Sequence, residues 1–170
     1  MLTDQSYPVI DGFTFSTLER CNLRFRNLAI HEFEAIRRAG ALRNKMWLTP
    51  QDSTILIPAR DSYERQIWMP PGSVIWGYTF IGNSGEQTGE EPDETGTQSW
   101  EIRDGCDDVP LWSEVVTQQF YAVGNRVPIQ NYLTKPLLIG PPGLINVVIC
   151  NTYPSAQVGQ LILFGGEPVK

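Results

Sequence analysis

The chain has 170 residues, 41% apolar and 19% charged, with 15 Gly and 13 Pro. That is the size and make-up of one globular domain, alone or with a terminal arm, and it excludes coiled coil, collagen-like repeat and disordered chain. A formal charge of −6 argues against nucleic acid or an anionic membrane as the main partner, since Lys and Arg carry those affinities.

The first fifty residues read differently from the rest. Met1 to Glu19 carries Pro8, Gly12, Phe13 and Phe15 without clean periodicity, consistent with either an edge strand or an extended arm lying on a neighbour. From Asn22 to Ala41, Phe25, Ala29, Phe33 and Ile36 recur at helical spacing. Glu34 lies one turn from Arg37 and Arg38, and Gly40 supplies a stop, so the spacing predicts the one helix.

Beyond Gln51, short apolar runs alternate with Pro, Gly, Asn and Asp, the pattern of an all-β sandwich or barrel. The predicted strands are Thr54 to Ile57, Arg65 to Met69, Ser73 to Ile81, Gln98 to Arg103, Leu111 to Tyr121, Pro136 to Ile139, Leu144 to Thr152 and Gln160 to Phe164. In the third, Val74, Trp76, Tyr78 and Phe80 fall on one face by period two and predict a core wall. In the seventh, Ile145, Val147 and Ile149 are expected to point inward. Pro70-Pro71-Gly72 and Pro141-Pro142-Gly143 precede these two strands, and each has the chemistry of a type II turn: Pro presets φ and Gly accepts a positive φ. The division expected is therefore an N-terminal arm and helix over 1–50 and a sandwich of about eight strands over 51–170.

Chemistry is sparse. His31 is the only histidine, and it lies on the predicted helix among arginines, where a surface role is expected. Cys21, Cys106 and Cys150 lack both the paired spacing of zinc or redox motifs and the even number of a disulfide framework. With no basic start leading into an apolar segment and cleavage site, synthesis in a reducing cytoplasm is expected. The apolar run from Leu137 to Cys150 is broken by Gly140 to Gly143, short of the ~20 residues a membrane span needs.

Gly82-Asn83-Ser84-Gly85 lacks the Lys of a phosphate loop. Glu101, Asp104, Asp107, Asp108 and Glu114, close in sequence to Trp100 and Trp112, leave open a carboxylate glycosidase. Asp104 to Asp108 lacks the twelve-residue calcium pattern. No catalytic residue, cofactor or metal is assigned. Among the aromatics, Trp76 and Trp100 read as core, whereas Trp47, Trp68 and Trp112 stay open between core, sugar platform and interface anchor.

Charge is divided along the chain. Arg20 to Lys45 holds seven bases and two acids, a balance of +5, and Glu86 to Glu114 holds ten acids and one base, a balance of −9. Two solvated surfaces that never meet would explain this, as would electrostatic matching between neighbouring copies. Under the second account, Phe13, Phe15, Arg20, Arg24, Arg26, Arg37, Arg38 and Arg43 form the candidate interface. The stretch from Asn83 to Gln98, dominated by Gly, Glu, Thr and Asp, is left as a loop.

Three segments, RQIWMPPGSVIWGYTFIG (65–82), PLLIGPPGLINVVICNT (136–152) and LILFGGEP (161–168), give the chain its likeness to a known class. It resembles small structural proteins of tailed bacteriophage particles that carry a jelly-roll β-sandwich, over about two thirds of its length. The resemblance implies an all-β jelly-roll-like antiparallel sandwich and a non-enzymatic place in the virion, as a cement or decoration protein of the head lattice or a minor head, neck or tail component. The partners implied are copies of the chain and other virion proteins such as the major capsid protein, with neither nucleic acid nor membrane bound directly. A carbohydrate- or receptor-binding module of a tail or spike is the alternative, and a glycan-active enzyme the third reading.

Overall fold

The computed structural model describes residues 24–82, 96, 98–116 and 131–169. Among them are ten strands and one helix: β1 (Phe25–Asn27), α1 (Ile30–Arg38), β2 (Leu42–Thr49), β3 (Ile55–Ile57), β4 (Asp61–Trp68), β5 (Val74–Gly82), β6 (Gln98–Asp104), β7 (Pro110–Val116), β8 (Asn131–Ile139), β9 (Leu144–Asn151) and β10 (Gln157–Pro168). They form two antiparallel sheets, one ordered β1-β8-β5-β10-β2 with β3 also on β10, the other β4-β9-β6-β7.

Without the short β1 and β3, eight strands remain, and β2-β10-β5-β8 against β4-β9-β6-β7 is a jelly roll. The two Pro-Pro-Gly turns make it so. One carries the chain from β4 in the second sheet to β5 in the first, the other returns it from β8 to β9, and the two arms run antiparallel through β4·β9 and β5·β8. Gly72 and Gly143 have φ of 99° and 81°, as the turn chemistry requires. The turns also bond to each other's surroundings: Met69 N–H donates to Gly143 O at 2.7 Å and Gly72 N–H to Ile139 O at 2.8 Å. What reads in sequence as a repeated turn is in space a paired corner.

Both sheets contribute to the filling of the sandwich: Ile57, Ile75, Tyr78, Phe80, Leu161 and Leu163 from the first, Trp100, Ile102, Ile145, Val147 and Ile149 from the second. The inward face expected for β9 is therefore observed. The wall expected for β5 is not: Ile75, Tyr78 and Phe80 face this core, while Val74 and Trp76 face the opposite way, beneath α1. A bulge is the cause. Ile75 stands opposite Gly165 and Gly77 opposite Phe164, so Trp76 is an extra residue that reverses the alternation. The adjoining glycines accommodate the large side chains. A Cβ on Gly165 would lie 2.7 Å from the Trp47 ring, and one on Gly166 would lie 3.1 Å from Trp76 on the other face.

The helix is shorter than the spacing suggests, because residues 25–27 pair with β8 and Phe25 packs on the main core. Tertiary pairing here overrides a local pattern. Residues 42–49 form β2, paired with β10 over eight positions, so β1 and β2 belong to the first sheet although both lie before residue 50. Residues 1–23, including the expected arm, lie outside the described residues, as do 83–95 and 97 of the expected loop and 117–121 of the fifth predicted strand.

Ala29 at the start of α1 offers no capping side chain, so Glu32 reaches back: its carboxylate accepts from Ala29 N–H at 3.0 Å and from Arg26 at 3.3 Å. Burial alone would raise its pKa, but these two partners outweigh burial and hold it below the usual glutamate value. A lowered folded-state pKa means stability that is present above the unfolded value and lost as pH falls through the folded one. Glu32→Ala is expected to cost about 1 kcal/mol at neutral pH. In urea titrations, the gap from wild type should narrow as pH drops below the ordinary glutamate range.

Candidate interaction surface

The first sheet shows its outer face between α1 and the β2 edge. Leu28 and Ile36 pack with Val74 and Leu138, so the helix covers the end of this face that carries β1. Past Trp76 the helix no longer covers it, among the described residues. Phe164 on β10 lies beside Met46 on β2 and beside Gly77 on β5, and Gly77 in turn lies beside Tyr132 on β8. One row therefore runs Tyr132, Gly77, Phe164, Met46, in which only the glycine lacks an apolar side chain. Tyr132 is 73% exposed and Met46 56%. This row bounds a shallow groove of about 440 Å³, with Phe164 and Gly165 in its lining, Trp76 and Arg37 on the helix side, and Asn44, Lys45 and Met46 on the β2 side. Its described lining carries two cations and no acid.

Arg37 is held over this groove by aromatic faces, its guanidinium carbon 5.7 Å from the Phe33 ring centre and 5.9 Å from that of Trp76. A second groove, of about 380 Å³, opens round the β2 edge between the sheets. It is lined by Trp47, Trp68, Gln51, Arg65, Gln66 and Glu167 among others, and Trp68 is 60% exposed. The three tryptophans left open by sequence thus separate: Trp47 is core, Trp112 is half-buried against the core and Trp68 faces solvent. Trp76, expected in the core, sits on the outer face under α1.

Among the described residues, four of the arginines proposed from sequence are held in ion pairs. Phe13, Phe15 and Arg20 lie outside the described residues. Arg24 binds Asp104 at 2.5 Å and also Asp107, joining the start of β1 to the second sheet. Its hydrogen bond with Asp104 raises the guanidinium pKa, with burial opposing and the carboxylate charges adding to the rise. Arg26 pairs with Glu32, Arg38 with Glu34 and Arg43 with Glu167. The basic and acidic stretches therefore do meet within one chain, at Arg24, so the picture of two surfaces that never touch needs correction there. Of the described members of the proposed set, Arg37 alone lines the outer groove.

Of the acids considered for catalysis, Glu101, Asp104, Asp107 and Asp108 are likewise engaged. Arg103 binds Glu101 and Asp108, each at 3.0 Å, and Asp104 accepts from Cys106 N–H at 2.8 Å while holding Arg24. Among the described residues no group of three or more His, Cys, Asp or Glu is placed to hold a metal ion, and no helix is long and apolar enough to cross a membrane. His31 is exposed on α1, Cys106 is exposed and Cys150 half-buried, both as free thiols.

Sequence reasoning missed the outer groove because its walls come from four strands and a helix and no local motif marks them. No protein-family model matches the chain, and comparison with curated proteins finds no significant relative.

Proposed function

We propose that the protein is a non-enzymatic structural component of a bacteriophage particle, a cement or decoration protein that stabilises the head lattice through subunit contacts. The observation that carries this reading is the pairing of a jelly roll whose interior is filled by its own side chains with an apolar, aromatic-walled groove on its outer face. A filled interior suits a scaffold, and an outer groove suits another chain. Jelly rolls occur in viral capsids and also in lectins and cupins, so the fold supports the reading by analogy only. The sequence resemblance to phage structural proteins selects among those. Its mechanism is burial of apolar area at many equivalent joints, where repetition multiplies modest contacts.

Binding that favours the assembled lattice raises the lattice's stability. Particles produced without this chain should burst at a lower temperature than complete ones, and added purified protein should restore the difference. Equal bursting temperatures, with no protein retained on the particles, would contradict the proposal.

One observation favours a second reading, a carbohydrate- or receptor-binding module: exposed Trp68 in the intersheet groove beside Gln51, Gln66, Arg65 and Glu167 offers a stacking face with hydrogen-bonding groups around it. Glycan-array binding abolished by Trp68→Ala would support it.

A further inference from the structure

We propose that the groove between the edges of β2 and β4 binds an anionic saccharide, with a sugar ring on Trp68 and its carboxylate or sulfate group held by Arg65 and Lys45. This rests on the second reading above and names the ligand class of that site.

The fold fixes the stacking face. Among the described residues β2 pairs only with β10 and β4 only with β9, so each is an edge strand, and the groove lies between the two edges. Trp68 ends β4 opposite Leu144, and the next residue, Met69, is fully buried with its N–H bonded to Gly143 O at 2.7 Å. The indole is thus anchored at its base by the paired corner while the residue stays 60% exposed. Trp47 and Ile67 reach the groove from the core. On the other rim Gln160 donates to Pro50 O at 2.8 Å, which steadies the chain just before Gln51. A volume of about 380 Å³ lies within the range of small-ligand sites.

Charge selects the ligand. The chain carries −6 overall, yet the described lining of this groove holds two cations, Lys45 and Arg65, against one acid, Glu167. Glu167 is bound by Arg43, whereas neither Lys45 nor Arg65 has an ion pair among the described residues. Two uncommitted cations in one groove of an acidic chain favour an anion, and the guanidinium fork suits paired anionic oxygens. The negative face of the indole attracts the C–H face of a sugar ring, and the Gln51 amide both donates to and accepts from hydroxyls. Gln66 gives its amide protons to Gly105 O at 3.1 Å and to the Asn146 side chain at 3.3 Å, so its own oxygen is the acceptor it has to offer. Charges on strand edges also deter edge-to-edge pairing, but that role gains nothing from an exposed tryptophan beside them.

The test applies the full-length protein to an array of neutral, carboxylated and sulfated glycans, the carboxylated ones bearing uronate or sialic acid. The protein should be retained on anionic glycans and not on their neutral counterparts, and the two anionic arms tell carboxylate from sulfate. In titrations with the retained glycan, Arg65→Gln and Lys45→Gln should each weaken binding about tenfold or more, the worth of one charge-assisted hydrogen bond. Arg37→Gln, in the outer groove, should leave binding unchanged, and Trp68→Ala should abolish it. Lys45 is exposed, so Lys45→Gln keeps the charge test open even where Arg65→Gln lowers the urea midpoint. Equal retention on neutral and anionic glycans, lost with Trp68→Ala but not with Lys45→Gln, would overturn the charge assignment and leave a carbohydrate site standing. Anionic retention that survives both Trp68→Ala and Lys45→Gln would overturn this groove as the site. Retention on no glycan would overturn both the inference and the reading it rests on.

Discussion

Trp100→Ala is expected to lower stability by about 3–5 kcal/mol, the range for truncating a buried tryptophan. Trp100 is 1% exposed, in the middle of β6, and its ring meets Tyr78 of the opposite sheet at 4.6 Å between centres with planes tilted by 60°. The substitution therefore opens a void where the two layers touch, and most of the loss comes from contacts that cannot re-form across it. Since domains of this size hold about 5–15 kcal/mol in all, the variant should unfold at much lower urea or fail to accumulate. Trp100→Phe should separate packing from polarity. The indole nitrogen is buried without a hydrogen-bond partner among the described residues, so phenylalanine removes an unsatisfied donor worth about 1–3 kcal/mol while giving up part of the ring. A loss for Trp100→Phe well below that of Trp100→Ala is predicted; equal losses would show that the ring volume phenylalanine retains does not preserve the packing.

Asn151→Leu is the second large loss predicted, about 3 kcal/mol or more despite similar size. Asn151 is 1% exposed at the end of β9. Its amide nitrogen lies 3.2 Å from Ile57 O, 3.0 Å from Pro58 O and 2.9 Å from Ser155 O, and its oxygen accepts from Tyr153 N–H at 2.9 Å. One side chain thus ties the end of β3 and the 153–155 turn to the second sheet, with two protons shared among three carbonyls. Leucine would leave those groups facing an apolar atom, and buried unpaired groups cost about 1–3 kcal/mol each. Urea unfolding monitored by tryptophan fluorescence reads the change, and amide exchange should rise first around residues 57–58 and 153–155. A variant as stable as wild type would mean that water satisfies those carbonyls.

The sequence was most legible where geometry is local. Gly72 and Gly143 take the positive φ that their Pro-Pro-Gly setting requires, and β9 shows the inward face its alternation implies. It was least legible where a distant partner decides. Trp76 is displaced by a bulge that becomes visible only through the pairing of β5 with β10. In β2, Arg43, Asn44 and Lys45 hide a strand, because edge strands tolerate charge and the apolar half of the pattern is reduced to Trp47 and its neighbours. Arg24 and Asp104, eighty positions apart, pair across the sheets, a contact that charge runs alone do not predict. The outer groove draws on Arg37, Met46, Trp76, Tyr132 and Phe164, so no window of sequence contains it, whereas the scarcity of histidine and cysteine was plain from the start.

If the chain is a rigid scaffold that acts through the surfaces it presents, its mass in solution is the most direct reading of that role. Sedimentation velocity over a hundredfold range of concentration should give a discrete assembly of more than one chain, dissociating towards the monomer as salt is raised. A single 19.2 kDa species at every concentration and salt would contradict the account.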